Sequence, residues 1–225
     1  MKLVLPVSYL INDDNVSSVP GIDALEYKMP QTVKWAGKTL FFHAAHGIIH
    51  DGFTEFFDSV ADFLIHNRIE LFSCDLGPAA EIVENPDFYY RPGSKILSVQ
   101  EMEDKISDRI SYVRNNYSGE IALENLNFFK SPAYEHVCEP DFITKIVRQN
   151  DIYLLLDVAH ALVSAFNMNI RASDYISSLP LDRVIEMHIS GPAIINGICR
   201  DSHDKPGDFI FETLDSILPR VRPDV

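Results

Sequence analysis

Five short runs in the sequence place metal-binding residue types directly behind apolar stretches. The runs contain His43 and His46, Glu124, Asp157 and His160, His188, and Asp201 and His203. Carboxylates and imidazoles at the ends of successive parallel strands meet at the C-terminal face of a barrel, where barrel enzymes build their sites. So many donors, with no paired cysteines among them, predict a site for two or three ions of iron, manganese or zinc.

The first runs leave alternatives open. Of the histidines in FFHAAHGIIH, His46 precedes a glycine at which the backbone can turn sharply, so it is the preferred ligand and His43 the second choice. His50 is expected to cap a helix or to be exposed. Asp75 follows the next strand and is either an oxygen ligand or a turn residue. Alternation points Cys74 away from Asp75, so Cys74 is predicted to lie in the core.

The later runs are more specific. Glu124 stands in the apolar run GEIALENLNFF, where an uncompensated charge is costly, so it requires a cation or, alternatively, a buried salt bridge. Asn125 beside it is expected to support the site or to contact substrate. Asp157 ends the next apolar run and His160 returns to the same mouth, so both are predicted catalytic residues as well as ligands. His188 repeats the pattern one strand later.

Asp201 and His203 are two residues apart and project to one side of an extended chain. They complete the predicted set of metal ligands, which is His46, Asp75, Glu124, Asp157, His160, His188, Asp201 and His203.

The elements that must position these residues alternate along the chain. Apolar runs predict strands at Leu3–Leu10, Ile22–Lys28, Thr39–Ala44, Ile69–Cys74, Glu120–Leu126, Ile152–Val158 and Val184–Ile189. Helical patterns cover Thr54–His66, Val99–Asn116, Pro140–Gln149, Ala172–Ser178 and Asp208–Leu218. A doubly wound sheet would carry a glycine-rich phosphate loop, and the sequence has none. We therefore predict an α/β fold of the TIM (β/α)8-type, lacking or not completing the eighth strand, as a single domain over residues 1–225.

Composition bears on location and partners. Asp and Glu outnumber Lys and Arg by 33 to 19, for a net charge of −14, which argues against nucleic acid as a partner. The sequence shows no membrane span and no signal peptide, and its three cysteines are widely spaced. A cytoplasmic protein is expected.

The runs LLLDVAHALVSAFN, SLPLDRVIEMHISGP and DSHDKP resemble the multinuclear non-haem iron-dependent oxidative enzymes, from Glu120 onward. The resemblance implies a TIM barrel that binds two or three iron ions and oxidises a cysteine-containing precursor peptide, often with a partner protein that presents the peptide. The order of ligands is also similar to that of xylose-isomerase-like enzymes and apurinic endonucleases, which use zinc or manganese on sugars or phosphates.

The chain departs from the family pattern in three places. Asp75 stands where the family usually has histidine, and His160 stands where many relatives have asparagine. The sequence ends at PRVRPDV, where an eighth strand with a last glutamate ligand would be expected; Glu212 is the nearest substitute, and it is predicted to lie on a helix surface.

The segment Pro78–Ser98 is long for a βα loop, and its aromatic residues Phe88, Tyr89 and Tyr90 either contact a peptide or pin the loop to the barrel rim. Three functions remain open: iron-dependent oxidation of a peptide, zinc- or manganese-dependent hydrolysis or isomerisation, and metal binding without catalysis. The sequence does not define the oligomeric state.

Overall fold

A computed structural model describes residues 2–7, 18–30, 38–85 and 88–221 of the chain. The strands are β1 (Val4–Val7), β2 (Ala24–Tyr27), β3 (Thr39–Ala44), β4 (Leu71–Asp75), β5 (Val83–Glu84), β6 (Arg91–Pro92), β7 (Glu120–Glu124), β8 (Tyr153–Asp157), β9 (Val184–His188), β10 (Gly191–Ile195) and β11 (Ile198–Asp204). The helices are α1 (Phe53–His66), α2 (Val99–Asn116), α3 (Pro140–Gln149), α4 (Val158–Met168), α5 (Ala172–Ser178) and α6 (Asp208–Ile217).

Seven strands form one parallel sheet in the order β1-β2-β3-β4-β7-β8-β9. Each new strand joins the same growing edge, and the sheet curls into a half-barrel. A contact across the interior marks this curl, since Glu26 Oε2 of β2 lies 2.7 Å from His188 Nε2 of β9. The predicted TIM-type barrel is confirmed, and among the described residues its sheet has seven strands rather than eight.

The barrel has apolar layers on both faces of its strands. The larger one lies between the sheet and the helices and contains residues such as Phe42, Phe72 and Leu156. A smaller cluster fills the floor of the interior, where Leu71, Ala122 and Leu155 pack against residues including Phe41. Strands buried on both faces are expected to be continuously apolar, as they are here up to their C-terminal ends.

The predicted strands and helices agree with the structure, apart from small shifts of their ends. Residues 8–10 of the first predicted strand lie outside the described part of the chain. The prediction missed helix α4, the hairpin β10–β11 and the short pair β5–β6. Helix α4 starts directly after β8, with no polar loop to signal the change. The hairpin β10–β11 turns at Asn196-Gly197, both with positive φ, which is a recognisable hairpin signal.

Within the described residues, none of the helices combines the length and the apolar character that crossing a membrane requires.

Helix α2 supports the loop that follows β3. Arg109 in this helix donates hydrogen bonds to the carbonyl oxygens of Ile48 and His50, at 2.5 and 2.7 Å. The helix begins with a capping box, in which the Ser98 side chain accepts from the Glu101 amide and the Glu101 carboxylate accepts from the Ser98 amide. These bonds satisfy two amides that have no partner within the helix.

Replacing the capping serine tests this start of α2. Ser98→Ala is expected to lower the free energy of unfolding by ~1 kcal/mol, because the Glu101 amide loses its acceptor. Urea denaturation followed by far-UV circular dichroism measures the change. The control is Ser111→Ala in the exposed middle of the same helix, expected to change stability by less than ~0.5 kcal/mol. Equal effects of the two substitutions would contradict the capping role.

Candidate metal centre

The C-terminal ends of the strands present a tier of polar side chains to the barrel interior. Residues paired across parallel strands point to the same side of the sheet, so the register decides which side chains meet. The register pairs His43 with Ser73, Asp75 with Glu124, and Asp157 with His188.

Glu124 lies at the middle of this tier. The residue is 3% exposed, and its carboxylate oxygens lie 2.9 Å from His43 Nε2, 3.3 Å from His160 Nδ1 and 3.6 Å from His188 Nδ1. Burial alone would raise the pKa of Glu124, but the charges and hydrogen bonds of these histidines outweigh it and hold the pKa well below its usual range. Glu124 is therefore a buried anion that depends on surrounding positive charge.

Two groups of donors that could hold a metal share Glu124. One consists of His43, Asp75 and Glu124, and the other of Glu124, Asp157 and His160. Within each group the potential ligand atoms lie within 4.8 Å of one another. The donors are imidazole nitrogens and carboxylate oxygens, which fit iron, manganese or zinc. Neighbouring groups that share a carboxylate fit a centre with more than one ion.

His43 and His160 each have their Nδ1 nitrogen held by a hydrogen-bond partner, which orients the ring and leaves Nε2 toward a carboxylate. His43 Nδ1 lies 3.0 Å from Ser73 Oγ, which leaves Nε2 toward Glu124. His160 Nδ1 lies 2.9 Å from the backbone oxygen of Asn125, which leaves Nε2 facing Asp201 Oδ2 at 3.5 Å. Such outer partners fix the ring and its tautomer in metal sites.

The ends of β7 and β8 are linked by Asn125, which is fully buried. Its side chain donates to the backbone oxygen of Asp157 at 3.1 Å and accepts from the Asp157 amide at 2.9 Å. Asp157 also caps α4, because its carboxylate accepts from the His160 amide at 2.7 Å. The expected supporting role of Asn125 is thus visible, and the cap explains why His160 returns to the mouth.

The carboxylates of the site raise the pKa values of two of its histidines, His160 and His188. Burial lowers the pKa of His160, but Asp157, Asp201 and Glu124 outweigh it and raise the pKa to about 10. Burial likewise opposes protonation of His188, yet Glu124 and Glu26 raise its pKa well above the usual value. A bound cation would replace these protons.

The order of preference between the first two histidines is reversed by the structure. His43 is buried and joins Glu124, whereas the His46 ring stacks on Phe56 at 5.0 Å and lies 5.3 Å from the ring of His50. The glycine after His46 does permit a close approach, because a Cβ at Gly47 would lie 1.9 Å from the Gly77 oxygen. The turn therefore packs the loop after β3 against the loop after β4 and carries His46 away from the tier.

The expectation for His50 was wrong. It is half-buried, it does not cap α1, and its Nδ1 accepts a hydrogen bond from the Gly47 amide at 3.2 Å. Burial, with the nearby His46 and Arg109, lowers its pKa to about 4. Cys74 lies in the core as predicted, and burial raises the pKa of its thiol.

The hairpin β10–β11 brings the last predicted pair to the mouth. Asp201 Oδ2 lies 3.0 Å from His203 Nδ1 as well as near His160. His203 itself is 80% exposed and stands at the rim, where it lines a cavity of about 290 Å³ together with Asp157 and His188. The structure thus gathers six of the eight predicted ligands, places His203 at the edge and leaves His46 outside.

Sequence reasoning missed two buried glutamates, Glu26 and Glu186, which form a third donor group with His188. The signal was present, because Glu26 stands in a short apolar strand and Glu186 lies two residues before His188, on the same side of β9. Burial and the neighbouring Glu26 raise the pKa of Glu186 to about 8. Burial would also raise the pKa of Glu26, but His188 and Lys28 lower it to about 2.

The aromatic loop is pinned to the rim. Phe88 and Tyr89 pack on Phe129, with ring centroids 5.3 and 5.8 Å apart, and Tyr90 stacks on Tyr134 at 6.0 Å. Glu212, the nearest substitute for a last glutamate, is exposed on α6, as expected.

The fold is that of a TIM-type barrel, and it is similar to the folds of solved sugar epimerases and of a xylose isomerase domain protein. The D-tagatose 3-epimerase-like protein is 15% identical, with a TM-score of 0.61 over 96% of this chain and 87% of that one. The D-psicose 3-epimerase of Clostridium cellulolyticum is 15% identical, with a TM-score of 0.57 over 98% and 83%. A xylose isomerase domain protein of Planctomyces limnophilus is 10% identical, with a TM-score of 0.59 over 97% and 86%. At these identities the likeness establishes the fold alone.

The family is defined by the sequence of the second half. The profile described as "RiPP precursor modification enzyme MbnB/TglH/ChrH" matches residues 96–223, more than half of the chain. The chain belongs to this family. Among curated relatives, a UPF0276 protein of Acaryochloris marina is 31% identical over 101 residues, which are 45% of this chain and 37% of the relative. A UPF0276 protein of Shewanella loihica is 28% identical over 138 residues, 61% and 48% of the two chains. The chain thus spans less than half of the length of these relatives.

Replacing Asp75 tests how much stability the protein loses by burying several carboxylates close together. Burial and Glu124 raise the pKa of Asp75 from 3.8 to about 6, although His43 and His160 act in the opposite direction. Below pH 3.8 the Asp75 carboxyl is protonated in both the folded and the unfolded state, so its raised pKa does not lower the free energy of unfolding. Between pH 3.8 and about 6 the Asp75 carboxyl ionises in the unfolded state but stays protonated in the folded state, so the free energy of unfolding falls. Above about pH 6 the carboxyl is ionised in both states, and the loss of stability is complete.

Asp75→Asn should therefore stabilise the metal-free protein at about pH 8 by ~1–3 kcal/mol, with the gain shrinking toward about pH 4. Urea denaturation in the presence of a chelator measures the difference. The control Asp62→Asn removes an exposed carboxylate from α1 and should shift stability by less than ~0.5 kcal/mol. A destabilised Asp75→Asn variant at about pH 8 would refute the argument.

Proposed function

We propose that this chain is a multinuclear non-haem iron enzyme that oxidises a cysteine-containing precursor peptide. The observation that carries the proposal is Glu124, a buried carboxylate shared by two groups of histidine and carboxylate donors. A cluster of this kind has few roles other than holding cations, because its carboxylates repel one another when metal-free. The family description, which names precursor modification, supports a peptide as the substrate.

We propose two ion positions, one on each side of Glu124. His43 and Asp75 would hold one ion with it, and Asp157 and His160 the other. His188, Asp201 and His203 are proposed to complete the set, with a third ion at the mouth. Iron bound here would supply redox chemistry with dioxygen as the oxidant.

Asp157 and His160 are proposed as catalytic residues in addition to their role as ligands. His160 Nε2 lies 3.5 Å from Asp201 Oδ2 and 4.0 Å from Asp157 Oδ2, so this nitrogen has carboxylates on two sides before a metal binds to it. Asp157 lines the cavity at the mouth, where a substrate side chain would enter. We propose that Asp157 takes up a proton from the substrate during oxidation, and that His160 takes part through the metal that it shares with Asp157. The same proposal includes a partner protein that presents the peptide. It also includes a cytoplasmic location for the enzyme.

A second candidate is a zinc- or manganese-dependent isomerase or hydrolase acting on a sugar or phosphate, which the donor set would also fit. A third is a metal-binding protein without catalytic activity. The metal that co-purifies, and oxygen consumption that requires both iron and a cysteine-containing peptide, distinguish the three. Zinc alone with no iron-dependent activity would exclude the oxidative function, and a folded protein that binds no metal would exclude all three.

Glu124→Gln tests the shared carboxylate directly. The amide keeps the shape but loses the charge and one ligand oxygen, so metal affinity should fall by at least ~10–100-fold, the loss typical of disturbing even an outer partner of a metal ligand. Elemental analysis after loading with ferrous iron under anaerobic conditions measures this. Glu212→Gln, on the exposed surface of α6, is the matched control and should retain the metal content of the unaltered chain. Equal metal content in the two variants would contradict the assignment.

A further inference from the structure

The imidazole of His188 is held between two buried carboxylates, one on each ring nitrogen. Its Nδ1 faces Glu124 Oε1 at 3.6 Å, and its Nε2 lies 2.7 Å from Glu26 Oε2. Glu26 is 2% exposed and belongs to β2, on the opposite side of the barrel interior. The ring orientation of His188 therefore depends on a residue remote from it in the sequence.

The surroundings of Glu26 allow two interpretations. Glu26, Glu186 and His188 each offer an atom within 4.8 Å of the others, and Glu186 Oε2 is buried without a hydrogen-bond partner among the described residues. This arrangement could be a cation site separate from Glu124. It could also be a clamp, in which Glu26 orients His188 for a metal bound on the other face of the ring.

The contacts of Glu26 favour the clamp. One carboxylate oxygen already accepts from His188 Nε2, and the other lies 2.8 Å from Lys28 Nζ. A cation between Glu26, Glu186 and His188 would have to displace the proton from Nε2 and approach the ammonium of Lys28. A metal at Nδ1 would displace only the proton on that nitrogen, and it would leave the hydrogen bond from Nε2 to Glu26 and the ion pair of Glu26 with Lys28 in place.

Of the other two histidines, His43 shows the same arrangement with a weaker partner. In His43, Ser73 Oγ holds Nδ1 and Nε2 faces Glu124, whereas in His160 the Asn125 carbonyl holds Nδ1, the nitrogen that also lies 3.3 Å from Glu124. A carboxylate is a stronger acceptor than either, and hydrogen bonds to ionised groups are roughly twice as strong as neutral ones. Glu26 thus supports His188 as Ser73 supports His43, from the nitrogen that faces away from Glu124, and it is the stronger acceptor.

We infer that Glu26 is a positioning residue, which accepts the Nε2 proton of His188 and thereby presents Nδ1 to a metal beside Glu124. The inference rests on the proposed function, since it takes the centre around Glu124 to bind metal. The expected pattern is the one seen where a carboxylate, a histidine and a metal stand in line.

Zinc titration of the metal-free protein tests this inference. Glu26→Ala should weaken zinc binding by ~10–100-fold, the loss typical when such an outer partner is removed. Glu26→Gln should lose much less, because the amide oxygen can still accept the Nε2 proton. The control Glu103→Ala removes another buried carboxylate, which pairs with Lys145 on the outer helices, and should leave zinc affinity unchanged. Circular dichroism checks that each variant is folded.

A spectrum of the histidine side chains separates positioning from a general effect on structure. In ¹⁵N-detected correlation spectra, the His188 Nε2 proton should persist when zinc saturates the unaltered protein, remain in Glu26→Gln and disappear in Glu26→Ala. His188→Gln assigns the signal. Loss of this proton on zinc binding would show Nε2 to be a ligand and overturn the inference in favour of the separate cation site.

The titration also separates this inference from the proposed function. If the unaltered protein binds zinc and Glu26→Ala binds it equally well, Glu26 does not position a ligand, while the metal centre stands. If the unaltered protein binds neither zinc nor iron, the proposed function fails and the positioning role fails with it.

Discussion

The buried negative charge of Glu124 is the constraint on which this site depends. An ionised carboxylate inside a barrel is tolerated only if positive charge or hydrogen bonds compensate it, and the imidazoles of His43, His160 and His188 lie around this one. The surrounding carboxylates raise the pKa values of His160 and His188, so both rings favour the protonated state in the metal-free protein. Imidazole nitrogens bind metal after losing their protons, so a metal at the proposed centre would replace this charge.

The barrel makes this arrangement possible through its register. The parallel strands bring Asp75 beside Glu124 and Asp157 beside His188, while an apolar floor below them excludes water. The arrangement also costs stability, because burial raises the pKa values of Asp75, Asp157 and Glu186. Carboxylates with perturbed pKa values cluster at functional sites.

Much of this could be predicted from the sequence. The strands and most helices follow from apolar runs and their periodicity, and the donors at strand ends follow from their position. The choice between His43 and His46 could not be made, because it depends on how the turn at Gly47 packs against the loop after β4. Glu26 was missed for a similar reason, since its partner His188 lies across the barrel and only the curl of the sheet brings the two together.

The resemblance to the family implies a histidine where this chain has Asp75, and the structure places that aspartate within the group of His43 and Glu124. The chain thus offers an oxygen donor at a position where a nitrogen donor is usual, while His160 adds a nitrogen donor beside Asp157. The balance of nitrogen and oxygen donors is preserved over the centre as a whole, although its distribution between the two ion positions changes.

Anomalous X-ray diffraction from crystals loaded with ferrous iron under anaerobic conditions tests the central claim most directly. The account predicts peaks at the iron edge on both sides of Glu124, one beside His43 and Asp75 and the other beside Asp157 and His160. A well-ordered interior with these side chains paired to one another, and no anomalous peak among them, would contradict it.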